Sequence, residues 1–203
     1  VDWAGKKCIL VDGRWFEIEA TFAKQVESYV GGLAATNAHL PDAQNGDTEG
    51  QYNEAVAAGD PNEFALLDKQ MVHAVGAASP IEFCDLLSKT RQLVHVKKRS
   101  SSATLSHLFS QGSVSCISFL QDGGVRREVR AKLKKAGKNA HRALISTGRP
   151  TAADFEVVFA ILAEDKGHWP PALPFFSAVN LMHHARIVQN MGFKVSLQHV
   201  RQI

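Results

Sequence analysis

Apolar and polar positions change rhythm several times along the chain, and each change predicts an element. Phe155 to Leu162 is a nearly continuous apolar run, which predicts a strand buried on both faces. Phe193 to Val200 alternates and predicts a final strand. Cys8 to Ile18 holds two β-rich runs around Asp12-Gly13, which predicts a hairpin. A helix from Phe22 to Val30 follows, with Thr21 as cap and Gly31-Gly32 as stop. Residues 36–50 read as a loop, and Gln51 to Ala58 as a short helix. Strand segments are expected at Phe64–Asp68, Met71–Val75, Ile81–Leu87 and Leu93–Lys98. Ser100-Ser101-Ser102 caps a helix from Ala103 to Leu120, with a possible interruption at Gly112. Asp122-Gly123-Gly124 breaks the chain before a second helix, Val125 to Leu144. Glu164 to Pro174 reads as a loop, and Ser177 caps a helix to Asn190. The order predicts an α/β fold: a mixed central β-sheet flanked by helices.

Length and composition fit one domain spanning 1–203, with 1–35 as a hairpin-helix extension. Val1-Asp2-Trp3 looks like sequence from inside a protein, so the chain is expected to be the C-terminal part of a longer one. No apolar run is long enough to span a bilayer and no signal-peptide pattern opens the chain. Cys8, Cys84 and Cys116 lie in apolar contexts without metal-ligand spacing, which suits reduced core thiols in a cytoplasmic protein.

The net charge of +3 hides an asymmetry. Residues 1–88 carry 5 Lys/Arg and 14 Asp/Glu, whereas residues 89–150 carry 14 and 2. A block near +12 can collect the phosphates of a polyanion. It is also what a solvated basic helix looks like.

That block starts beside the most informative pair of strands. Ile81–Leu87 carries Asp85, and Leu93–Lys98 places His95 and Lys97 two residues apart on one face. Phosphodiester hydrolysis wants a divalent metal held by hard oxygen ligands, and a lysine to orient or stabilise charge. Asp85 and Lys97 meet that demand, with Asp68 as a further acid from an adjacent strand region. The bland alternatives are a strand-ending aspartate, a phosphate-touching lysine and a hydrogen-bonded sheet histidine. Other chemistry is weaker. His183 and His184 diverge by about 100° on a helix, and no Walker-type loop is present. Cys84 has no partner histidine identified by the sequence. Trp3, Trp15 and Trp169 are expected to pack.

Helix, strands, Asp85, then His95-Val96-Lys97 and a helix carrying Gln111 together resemble the PD-(D/E)xK, or restriction-endonuclease-like, superfamily. The resemblance implies a nuclease in which Asp85 binds the metal and Lys97 is catalytic. A helical glutamate would add a ligand: Glu54, or less favourably Glu49 or Glu27. His95 departs from the pattern, which has an acid there; it would serve as an extra ligand or a base. The cofactor implied is Mg or Mn.

Ile81-Glu82-Phe83-Cys84-Asp85-Leu86-Leu87, His95-Val96-Lys97-Lys98, the stretch from Ser101 to Gly112, and Leu173 to Ser177 also look like a sporadically distributed, uncharacterised bacterial family. Its patchy distribution would suit a defence or mobile-element setting. The expected partners are nucleic acid, DNA or RNA, and a second copy of the chain as a homodimer; no membrane partner is expected. Backbone contacts are assigned to Lys98, Arg99, His107 and Gln111, and to Arg126, Arg127, Arg130, Lys132, Lys134, Lys135 and Lys138 of the basic helix. Two rivals stand beside the nuclease: a non-catalytic nucleic-acid-binding module with a degenerate nuclease fold, and a protein-interaction domain of a larger complex.

Overall fold

A computed structural model describes residues 2–11, 13–73, 80–164 and 173–203. The N-terminal segment forms a small antiparallel sheet, β1 (Asp2–Trp3), β2 (Lys6–Val11) and β3 (Arg14–Glu17), followed by α1 (Ala20–Gly31). Trp3 and Trp15 are exposed on this sheet rather than packed. Then come α2 (Glu49–Gly59), β4 (Phe64–Leu66), β5 (Met71–Val72), β6 (Ile81–Glu82), β7 (Leu86–Ser88) and β8 (Gln92–Lys98). The helices α3 (Ser102–Gln121), α4 (Gly123–Lys135) and α5 (Asn139–Leu144) lead to β9 (Glu156–Ala163), α6 (Phe175–Asn190) and β10 (Lys194–Arg201).

The main sheet is mixed, with strand order β10-β9-β8-β7-β4. β8, β9 and β10 run parallel; β7 is antiparallel to both β8 and β4. The parallel strands are joined through helices, as parallel pairs must be. β9 is buried on both faces, as its unbroken apolar run predicts. Alternate residues of β8 and β9 feed two cores. Leu93, Val157, Phe159 and Ile161 join α3 and α6 on one face. Val94, Val96, Val158 and Ala160 join Tyr52 and Val56 of α2 on the other. The outer edge of β10 is covered: Ala34 bridges Ser196 and Ala43 bridges Gln202, so residues 34–45 run along it.

Three elements differ from the sequence expectation, each for a physical reason. Ile81–Leu87 is two strands, not one. β6 pairs with β5, β7 pairs with β8 and β4, and residues 83–85 turn between them. The basic helix is also two, because Gly137 at φ 71 ends α4 after Lys135. Conversely, α3 runs through Gly112 unbroken. A Cβ there would lie 2.5 and 2.8 Å from ring atoms of Phe159, so the glycine lets α3 approach β9 rather than breaking the helix. Smaller shifts involve caps. α2 begins earlier than expected because Thr48 and Gln51 form a capping box, and α6 begins at Phe175, which places Ser177 inside it. The end of the strand expected at Met71–Val75, most of the loop expected after Glu164, and Trp169 lie outside the described residues.

Candidate metal centre

Three acids meet at the end of the sheet where β8 finishes. Asp68 follows β4, Glu82 ends β6 and Asp85 precedes β7. One carboxylate oxygen from each lies within 4.8 Å of the others, and all three residues are partly exposed. The backbone fixes this meeting. The N–H groups of Leu67 and Asp68 both donate to the Asp85 carbonyl, at 2.8 and 3.0 Å, and Asp85 N–H donates to Val94 O at 2.9 Å. The stretch after β4 is thereby clamped to the start of β7, and both to β8.

The carboxylates are oriented one by one. Asp85 Oδ2 accepts from Val96 N–H at 2.6 Å. Glu82 Oε1 accepts from Lys69 N–H at 2.8 Å, and its Oε2 from Gln111 Nε2 at 3.0 Å. Glu49 joins from the first turn of α2. Its Oε2 receives Lys97 Nζ at 2.7 Å and its Oε1 receives Lys98 N–H at 3.0 Å. A carboxylate in the first turn is favoured by the positive end of the helix dipole, and the capping box at Thr48 and Gln51 sets where that turn starts.

Crowding of like charge shows in Asp85. Burial pushes its carboxyl up to about 7, the Glu82, Asp68 and Glu49 charges add to the rise, and the Val96 hydrogen bond opposes it. A carboxyl so raised favours either a proton or a cation. Three carboxylates form a hard-oxygen donor set, which fits Mg²⁺ or Mn²⁺. Asp68, Glu82 and Asp85 are placed to hold such an ion, with Glu49 beside them.

The expected site residues divide sharply. Asp68 and Asp85 come together, and Lys97 reaches the group through Glu49. Glu54 lies on the exposed side of α2 and Glu27 on the exposed side of α1, so neither takes part. Glu49, the less favoured helical acid, occupies the place expected of Glu54. His95 is 2% exposed, its ring centroid 6.2 Å from that of Phe159, and its Nε2 has no hydrogen-bond partner. Burial lowers its pKa to about 4, so the imidazole is neutral. It stands in the core behind the acids rather than among them. The acid that sequence reasoning missed is Glu82. The signal was present as Glu82-Phe83-Cys84-Asp85, two acids in an otherwise apolar stretch, but reading the stretch as one strand put them on opposite faces. Asn53 is also new. It is fully buried with both side-chain polar atoms unpartnered, four residues on from Glu49 and three from Gly50 on α2.

The basic block also divides. Arg126 is buried and donates to the carbonyls of Phe119 (2.6 Å) and Leu120 (3.2 Å), closing the end of α3. Arg130 donates to the carbonyls of Arg142 and Ile145, joining α4 to α5. Lys138 Nζ donates to Pro61 O at 2.5 Å and Phe64 O at 3.0 Å, beside the β4 edge. These three cations hold the fold. Arg127, Lys134 and Lys135 are exposed on α4, and His107 is exposed on α3. Lys98 Nζ donates to Asp47 O at 3.3 Å, and Arg99 is partly buried just beyond β8. Gln111 is tied to Glu82 and so belongs to the acid group.

No helix among the described residues is long and apolar enough to cross a membrane. No curated protein and no solved structure matches the chain. A family model does match, over residues 1–201: the chain belongs to a family of unknown function, DUF6119.

Proposed function

We propose that this chain is a metal-dependent nuclease with a restriction-endonuclease-like site. One observation carries the reading: the meeting of Asp68, Glu82 and Asp85 within 4.8 Å, beside a strand-borne lysine, Lys97. A structural role alone explains this poorly, because packed like charges cost stability and Asp85 already carries that cost. A divalent metal bound there would lower the pKa of a water and neutralise charge on the phosphoryl group. The chain's own residues supply the rest. Asp68, Glu82 and Asp85 bind the ion. Gln111 and the Lys69 N–H hold the Glu82 carboxylate, and Val96 N–H holds that of Asp85. Lys97 brings a compact positive charge to the same end of the sheet, aligned by Glu49. The exposed Arg127, Lys134 and Lys135 of α4 offer backbone contacts.

The test is cleavage of single- and double-stranded DNA and RNA with Mg²⁺ or Mn²⁺. Activity lost with EDTA, in Asp85→Asn and in Lys97→Met is expected; full activity in both variants would overturn the assignment. Burial of His95 where the superfamily pattern has an acid favours one rival, a nucleic-acid-binding module that does not cut. That rival predicts binding that survives EDTA and no cleavage with either metal.

A further inference from the structure

Lys69 follows Asp68 directly, and its backbone is left-handed, at φ 57. For a residue with a Cβ this conformation is disfavoured, and glycine or asparagine would adopt it more readily. The conformation lets one residue reach two ways. Its N–H turns inward to Glu82 Oε1, while its side chain passes over Asp68, with Nζ 3.7 Å from Oδ2. Lys69 is 77% exposed at its side chain and Asp68 only 12%, so the ammonium is an outward-facing charge above the acids. Lys97 is differently placed: it is 24% exposed and closes on Glu49 at 2.7 Å. Opposite Lys69, the first turn of α2 presents Gly50. A Cβ there would lie 2.9 Å from Lys69 Nζ and 3.3 Å from Asp68 Oδ2, so the glycine lets the ammonium and the Asp68 carboxylate lie close against the start of α2.

We propose that Lys69 is a substrate-anchoring residue, whose ammonium binds a phosphodiester oxygen at the mouth of the acid group. The inference rests on the nuclease reading and deepens it. A polyanion approaching Glu49, Asp68, Glu82 and Asp85 is repelled, and a bound divalent ion offsets only part of that charge. A tethered cation on a flexible stem, with its backbone pinned and its tip in water, supplies the attraction where the substrate enters. Its role is in binding, not in the chemical step.

The experiment uses the full chain and a fluorescein-labelled oligonucleotide, single-stranded and duplex. Binding is followed by anisotropy in Ca²⁺, and cleavage kinetics in Mn²⁺. Lys69→Met is expected to raise KM about tenfold while kcat stays within about twofold, the cost of one lost charge-assisted contact. The slope of log Kd against log salt should fall by about 1, as for one phosphate contact. Lys69→Arg should restore both values. Lys69→Gly removes the charge without the backbone strain and should match Lys69→Met in KM while folding at least as stably. An unchanged KM and salt slope in Lys69→Met would overturn the proposal. So would a several-fold gain in Mn²⁺ affinity by calorimetry without a change in KM, since the ammonium would then compete with the metal rather than meet substrate. A wild-type chain that binds the oligonucleotide but never cuts it overturns the nuclease reading instead, and the Kd and salt slope of Lys69→Met still decide the anchor.

Discussion

Replacing Asp85 with asparagine should make the metal-free protein more stable and at the same time inactive. Asparagine keeps the shape and an oxygen to accept from Val96 N–H, but removes the charge. In the wild type the Asp85 carboxyl titrates at about 7 when folded, against 3.8 as its ordinary value. Its folded pKa is raised, so the folded state holds the proton more tightly. Asp85 therefore contributes fully to stability below about pH 4, and that contribution is lost as pH rises through about 7. Three units correspond to about 4 kcal/mol at most. Asp85 keeps a partly exposed edge, so about 2 kcal/mol is the realistic size.

The expected gain of Asp85→Asn is thus about 2 kcal/mol at about pH 8, or about 4–8 °C in Tm for a chain of this length. At about pH 3 the carboxyl is protonated in both the folded and the unfolded chain, and the gain should shrink to within about 0.5 kcal/mol. Calorimetric melts in EDTA at both pH values check it. A gain equal at both pH values would refute the argument, because it would then owe nothing to the charge. A loss at about pH 8 would show that the Val96 hydrogen bond outweighs the burial and repulsion. Adding Mn²⁺ should reverse the ranking, since only the wild type can use the ion to neutralise the group.

Other outcomes follow from single contacts. Gly112→Ala should cost about 1 kcal/mol in urea unfolding, because overpacking against Phe159 at about 1–3 kcal/mol exceeds the helix-propensity gain of about 1; Phe159→Leu in the same chain should recover most of it. Arg126→Met should lower Tm and leave the salt slope of nucleic-acid binding unchanged, whereas Lys134→Ala with Lys135→Ala should flatten that slope and leave Tm alone. Glu49→Gln removes one of the charges that raise Asp85, so the pH at which the metal-free protein loses stability should move down. His95→Phe should become more stabilising as pH falls from about 6.5, and most so at about pH 4 and below. The folded His95 pKa is depressed to about 4 from 6.5, so its stability is present above 6.5 and lost as pH falls toward 4. A pH-independent effect would count against that account.

The sheet was legible because its strands carry unambiguous patterns. The run at Phe155–Leu162 and the alternation at Phe193–Val200 have no competing reading, and both became the parallel strands β9 and β10. The site was legible only in part. Asp85, Asp68 and Lys97 follow from strand placement, but Glu82 depends on a turn at residues 83–85 that no Gly, Pro or Asn marks. Glu49 depends on a capping box that moves the start of α2 back to Glu49. The basic block misled because charge alone does not say where a side chain ends. Arg126 and Arg130 have long stems that reach carbonyls of neighbouring elements, and a guanidinium satisfies several of them at once.

Position 95, where the pattern of the resembled superfamily has an acid, lies in the core. A carboxylate on the His95 stem would sit with 2% exposure against Phe159. Burying such a charge unpaired costs several kcal/mol. A neutral imidazole fills the same space at lower cost, which fits its depressed pKa. Glu82 offers what position 95 lacks. It stands at the rim, where Gln111 and the Lys69 N–H each hold one of its oxygens, and it lies within reach of Asp68 and Asp85. On the nuclease reading, the third carboxylate has therefore moved one strand segment upstream, and His95 has become packing. On that reading the departure from the superfamily pattern is a relocated ligand, and on the rival reading it is a lost one. It also places the weight of the functional test on Glu82→Gln: if that variant cleaves as well as the wild type, the relocation argument fails and the non-cutting module gains.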